Sequence, residues 1–277
     1  MTSTDLFASE QGVQDKQQEL RSAKEAIAGP VPLIDETPDP VLVLPRGLFH
    51  SGVWEKEVLC RELTGVDEEA LAKAQTPYAY FNTVLALGVV SMGTFSFDTL
   101  SVPERQFYLN DLLLGEREQL FLKIVQVSFG NSRTIGFTCQ VCNEPQDVTL
   151  LLDSDFPPAE VEDIESTTQE FVTSKGDVLT FRGALGADQE AVMEKKGLSV
   201  AEQNTLMISR CVTKVNGEIL PDPLVYARSL LMRDRQKFLD LLVARQPQID
   251  LNITTTCASC GAQQQLGMGW TDFFRSQ

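Results

Sequence analysis

Apolar residues are thinly spread at the start of the chain and closely spaced from residue 41 onward. In residues 1–28, Leu6, Phe7, Val13, Leu20 and Ile27 stand among Asp5, Glu10, Asp15, Lys16, Glu19, Arg21 and Lys24. That spacing predicts a polar, weakly amphipathic helix that packs only against a partner. Pro30, Pro32, Pro38 and Pro40 then fix φ and withhold backbone donors, so an extended linker follows, with a boundary near residue 41.

Beyond the boundary, VLVLPRGLF (41–49) reads as a strand and turn, and VLCRELTG (58–65) as a second strand. Asp67, Glu68 and Glu69 mark a helix start before Ala70, Leu71 and Ala74, because negative charge suits the N-terminal dipole. The run FNTVLALGVVSM (81–92) fits a buried helix or a strand, and periodicity alone does not decide. Ser101 and Glu104, with Pro103 between them, form a capping box that opens a helix through FYLNDLLL (107–114). Residues 153–170 are acidic and broken by proline, which predicts a second linker. A hairpin over residues 171–183 turns at Lys175-Gly176-Asp177. Ser199 and Glu202 repeat the capping-box pattern, and Asn216-Gly217 supplies a tight turn. The expected organisation is an arm and linker (1–40), a first α+β module (41–152), the acidic linker (153–170) and a second α+β module (171–277).

The two modules contain a repeat: residues 112–142 align without a gap with residues 230–260, at an offset of 118. Leu113, Leu120 and Ile124 correspond to Leu231, Phe238 and Leu242, and each set falls on one helical face. Glu116-Arg117 corresponds to Asp234-Arg235, and Ile135 and Thr138 to Ile253 and Thr256. Past the cysteines, Val148, Leu150 and Leu152 alternate as Leu266, Met268 and Trp270 do. Each unit reads helix, strand, CxxC turn, strand, and the register brings the two CxxC turns into equivalent positions.

Composition narrows the chemistry. With 39 acidic and 23 basic side chains the chain carries a net charge of −16, which disfavours nucleic acid and anionic membranes as partners. A single histidine, His50, leaves little material for a triad or a His-rich metal site and reads as a packed or surface imidazole. No P-loop, GxGxxG, HExxH or GxSxG occurs, so neither catalytic residues nor a small-molecule substrate is expected. The N-terminus lacks a secretory apolar core, which leads to the expectation of a cytosolic protein.

Of the six cysteines, Cys60 and Cys211 stand alone in apolar surroundings and read as small buried side chains. Cys139, Cys142, Cys257 and Cys260 form two CxxC turns, each after a strand ending in Thr. Two such knuckles supply the four thiolates that tetrahedral zinc accepts, and a filled shell is structural. The 114 residues between Cys142 and Cys257 far exceed zinc-finger spacing, while the repeat argues for convergence. A redox CxxC, disulfides, or half-sites completed by other chains are the competing readings. A nucleic-acid zinc ribbon would need basic and aromatic side chains near the knuckles, where Gln140, Val141, Asn143, Glu144 and Gln146 stand instead.

Read as a whole, the order Leu44-Pro45-Arg46-Gly47-Leu48, Arg61-Glu62-Leu63-Thr64, Leu113-Leu114-Gly115-Glu116-Arg117, CxxC, Arg233-Asp234-Arg235, CxxC resembles the baseplate hub assembly proteins of T-even-type contractile-tailed phages. The resemblance covers roughly residues 41–277, and the long N-terminal arm has no counterpart in it. It implies a non-enzymatic role in building the hub or baseplate of the tail, through contacts with other tail and hub proteins. The protein would be assembled in the host cytoplasm and located in the virion, or would act as a transient assembly chaperone. A cytosolic zinc-ribbon interaction module is the alternative outside the family.

Overall fold

The chain folds as a mixed α+β protein; the structure, a computed structural model, describes residues 38–162, 164 and 167–274. The helix expected over residues 1–28 and most of the proline-rich linker lie outside the described residues. Strands β1 (Val41–His50) and β2 (Val53–Cys60) form the first antiparallel hairpin. The turn expected within residues 41–49 falls instead at Ser51-Gly52, both at positive φ, and β2 starts and ends earlier than the apolar run suggested. Strand β1 runs through Pro45 because the register shifts between Val43 and Leu48. Such a bulge tolerates a residue that cannot donate to the ladder. Gly47 is required there: its φ is 78°, and a Cβ would lie 2.2 Å from the Glu55 carbonyl oxygen.

After β2 come α1 (Gly65–Leu71) and α2 (Pro77–Gly88), then β3 (Val89–Met92) and β4 (Phe95–Ser96), which complete a sheet of order β1-β2-β3-β4. The ambiguous run 81–92 is thus helix to Gly88 and strand from Val89. The Gly88 carbonyl accepts from the Arg61 amide at 2.8 Å, which draws the chain into the sheet. Helix α3 (Val102–Leu109) opens on the Ser101–Glu104 capping box. It does not continue through residue 114 as the sequence suggested: the chain turns at 110–113, and Leu113 pairs as an isolated bridge with Leu185. Helix α4 (Leu114–Phe129) leads into the hairpin β5 (Ser132–Thr138) and β6 (Pro145–Leu151).

The second half carries β7 (Gln169–Val172), β8 (Val178–Phe181), α5 (Gly186–Met193), α6 (Val200–Cys211) and β9 (Val212–Val215). It continues with α7 (Pro223–Ser229), α8 (Met232–Ala244), β10 (Asn252–Thr256) and β11 (Gln263–Gly267), and closes on a 3-10 turn over Trp270–Phe274. Its sheet order is β7-β8-β9. The turns expected at 175–177 and 216–217 are present, with Gly176, Asn216 and Gly217 at positive φ.

Two apolar clusters hold the halves. The first packs Leu44, Leu48 and Val58 of the sheet on Val84 and Leu85 of α2 and Leu120, Phe121 and Ile124 of α4. The second packs Leu179 and Phe181 on Ile208 and Cys211 of α6 and Phe238 and Leu242 of α8. Of the helical stripes read from the sequence, Leu113, Leu120, Ile124, Phe238 and Leu242 are buried, whereas Leu231 is 37% exposed; Leu113 and Leu231 are the caps that precede α4 and α8. Ile249 and Phe273, which follow α8, join the first cluster, as does Phe156 from the acidic segment after β6.

Candidate metal centre

Each CxxC lies at the tip of a hairpin, where a short turn must reverse the chain while keeping both sulfurs on one side. In the first knuckle the Cys139 amide donates to the Glu144 carbonyl at 3.0 Å, and the Asn143 amide donates back to the Cys139 carbonyl at 2.9 Å. In the second, the Cys257 amide donates to Ala262 and the Gly261 amide to Cys257, both at 2.9 Å. Both turns need a residue in the left-handed region four positions after the first cysteine. Asn143 (φ 58°) and Gly261 (φ 74°) supply it, being residue types that tolerate that region. Cys139 and Cys257 are buried, whereas Cys142 and Cys260 are exposed.

The two tips converge. All four sulfurs lie within 4.8 Å of one another, with Cys139 Sγ to Cys260 Sγ and Cys142 Sγ to Cys257 Sγ each 3.7 Å. Four sulfurs at about 2.3 Å from a tetrahedral zinc would be about 3.8 Å apart, so the spacing fits a metal. It is far longer than the roughly 2.0 Å of a disulfide, and all six cysteines are free thiols.

Backbone amides favour thiolates here. The Cys142 amide and then that of Val141 hold the Cys139 thiol down to about 6, despite its burial. At Cys142 the Glu144 amide pulls the same way, but the neighbouring Cys139, Cys260 and Cys257 sulfurs outweigh it and push that thiol up to about 12. Crowded thiolates repel one another, and a bound divalent cation removes that conflict. The lone Cys60 and Cys211 are pushed up to about 12 by burial, as befits inert core thiols.

Two glutamines to which the sequence reading gave no role complete the site. Gln264 donates from Nε2 to Cys139 Sγ at 2.7 Å and accepts from the Gln140 amide at 3.2 Å. Gln146 accepts from the Ala258 amide at 2.9 Å and donates to Ser259 Oγ at 3.1 Å. Each knuckle is therefore braced by a glutamine from the other hairpin, an arrangement that orients ligands and tunes sulfur basicity. The available signal was position: each follows the second cysteine of its knuckle by four residues.

The other residues singled out from the sequence lie outside this cluster. His50 stacks on Phe95 with ring centroids 4.2 Å apart and meets Tyr108 edge-on. Asp67 pairs with Arg61 at 2.8 Å. Among the described residues, no helix is long and apolar enough to cross a membrane.

A sequence model of the family described as T4 bacteriophage base plate protein matches residues 52–275, a span that includes both knuckles. No curated protein and no solved structure matches the chain.

Proposed function

Starting from the fact that the chain belongs to the T4 bacteriophage base plate protein family, we propose that it is a component of the central hub of a contractile tail and acts in tail assembly by protein contact, without turnover. The family match carries this reading. Cys139, Cys142, Cys257 and Cys260 would hold one structural zinc within the chain, the 3.7 Å sulfur spacings being the supporting geometry. Four protein thiolates leave no position for a substrate. The metal would tie a hairpin of the first half to one of the second in a reducing cytoplasm, where disulfides do not persist.

The halves are read here as two copies of one unit. Helices α4 and α8 start at repeat-equivalent residues, Leu114 and Met232. Ile135 faces Val148 as Ile253 faces Leu266. The likeness also reaches upstream of the repeated segment. Arg61 pairs with Asp67, and Arg182 with Asp188, each acid three residues past its helix cap. Arg117 donates to Asn82 of α2, as Arg235 does to Thr205 of α6.

The test is an infection with phage lacking this protein. It should accumulate filled heads but no complete base plates, and purified protein added to the extract should restore tails. Saturation near stoichiometric amounts marks a built-in subunit, and normal tails without the protein would defeat the reading. Elemental analysis of the purified protein should find one zinc per chain.

A further inference from the structure

On the flank of the first core, α2, α4, α5 and the C-terminal 3-10 turn enclose a cleft of about 580 Å³. Its walls are largely apolar, with Tyr78, Phe81, Leu114, Met193 and Trp270 among them, and Glu118, Glu190 and Glu194 supply its charge. A second cleft of about 410 Å³, on the far side of Leu114 and Glu118, adds Asp240. Among the described residues, neither is lined by any Lys, Arg or His.

Glu118 is the deepest of these acids. One of its oxygens accepts from the Ile249 amide at 2.9 Å, and among the described residues no ion pair reaches it. A half-buried carboxylate against apolar walls is poorly solvated unless a cation enters beside it. Aromatic side chains at the same place, Tyr78 and Trp270, attract cations as well as apolar stems, whereas Phe81 is already stacked on Phe121 and carries the Arg117 guanidinium over its ring.

We propose that this cleft is a docking pocket for a partner protein's segment that presents a Lys or Arg side chain flanked by apolar residues. The volume suits one such side chain with its neighbours, the aliphatic stem lying on the aromatic walls and the charged end among Glu118, Glu190 and Glu194. The proposal rests on the cleft alone and is independent of any metal at the knuckles.

The probe is the blocked peptide acetyl-Leu-Lys-Leu-amide, titrated into the full chain while the indole N–H signal of Trp270 is followed by NMR. A spectrum of W54F distinguishes that signal from the other tryptophan. Saturable movement of the Trp270 signal is expected, with acetyl-Leu-Glu-Leu-amide at least about ten-fold weaker, the size of one charge-assisted hydrogen bond. The double variant E190Q/E194Q, changed at the rim, should weaken the Lys peptide by a similar factor, and its circular dichroism should match the parent. Equal binding of the Lys and Glu peptides, unchanged binding in the double variant, or no movement of Trp270 would each overturn the proposal. Spermidine binding as tightly as the Lys peptide would overturn it too, by pointing to a free polyamine in place of a protein segment.

Discussion

Glu116 shows how much one side chain can organise in this protein. It is fully buried, and its carboxylate accepts from the Arg46 and Gly47 amides at 2.6 and 2.7 Å and from the Leu113 amide at 3.1 Å. It therefore satisfies both the bulge that lets β1 pass Pro45 and the first turn of α4. Burial pushes its carboxyl up, while the Gly47 amide and the Arg46 charge oppose that shift. Glu116→Ala leaves three donors without an acceptor and should cost about 3 kcal/mol or more in urea denaturation. Glu118, two residues along, shifts the same way. Burial raises it from 4.5 to about 7, against the Ile249 amide. Its folded value exceeds its unfolded one, so the stability it contributes is complete below about pH 4.5 and is lost as pH rises through about 7. The total is roughly 3 kcal/mol. Glu118→Gln should flatten that limb, so the variant's denaturation midpoint should fall less than the parent's between pH 4.5 and 7.5.

Among the elements, the two short helices α1 and α5 are fixed by one device used with different strength. Asp67 accepts two hydrogen bonds from Arg61, whose side chain is 36% exposed, and Asp188 accepts from both Arg182 and Arg210 while fully buried. The Arg61 guanidinium holds Asp67 down to about 2, so that pair stabilises above about pH 4 and fails only as pH falls toward 2. Burial pushes Asp188 up, but the two arginines prevail and keep it below the usual carboxylate range. Asp188→Asn should thus cost about 3 kcal/mol, and Asp67→Asn about 1 kcal/mol or less, by thermal or chemical denaturation. The sequence shows the acid at the start of α1 but not its arginine, because the helix dipole alone explains such a charge, and neither α5 nor Asp188 was legible in it. Capping boxes, the 216–217 turn and the CxxC tips were legible since each is decided within a few residues. The course of β1 was not, since the acceptor that rescues its bulge lies some 70 residues away at Glu116. Nor were the bracing glutamines, whose partners lie on the opposite hairpin.

Across the whole molecule, a metal at the knuckles would cross-link segments separated by more than a hundred residues, and its removal would be felt according to what else joins them. The buried apolar residues form two clusters, and neither contains the knuckle cysteines. Ile249 and Phe273 already anchor the segment after α8 to the first core. Between the hairpins, by contrast, lies a cleft of about 570 Å³ lined by Ile135, Phe137, Val148, Ile253, Leu266 and Met268. Direct packing there is incomplete, and the glutamine braces span only the tips. The hairpins thus depend on the cysteine centre more than the cores do. Chelation should accelerate hydrogen exchange by orders of magnitude over residues 132–151 and 252–267 while leaving α2, α4, α6 and α8 protected. Cys139→Ser or Cys257→Ser should reproduce that pattern and lower the metal content. Cys60→Ser and Cys211→Ser should instead keep the metal and weaken their own cores. Loss of protection throughout the chain on chelation would show that the metal holds the entire fold. Unchanged exchange in the hairpins would show that the four sulfurs need no ion to stay together.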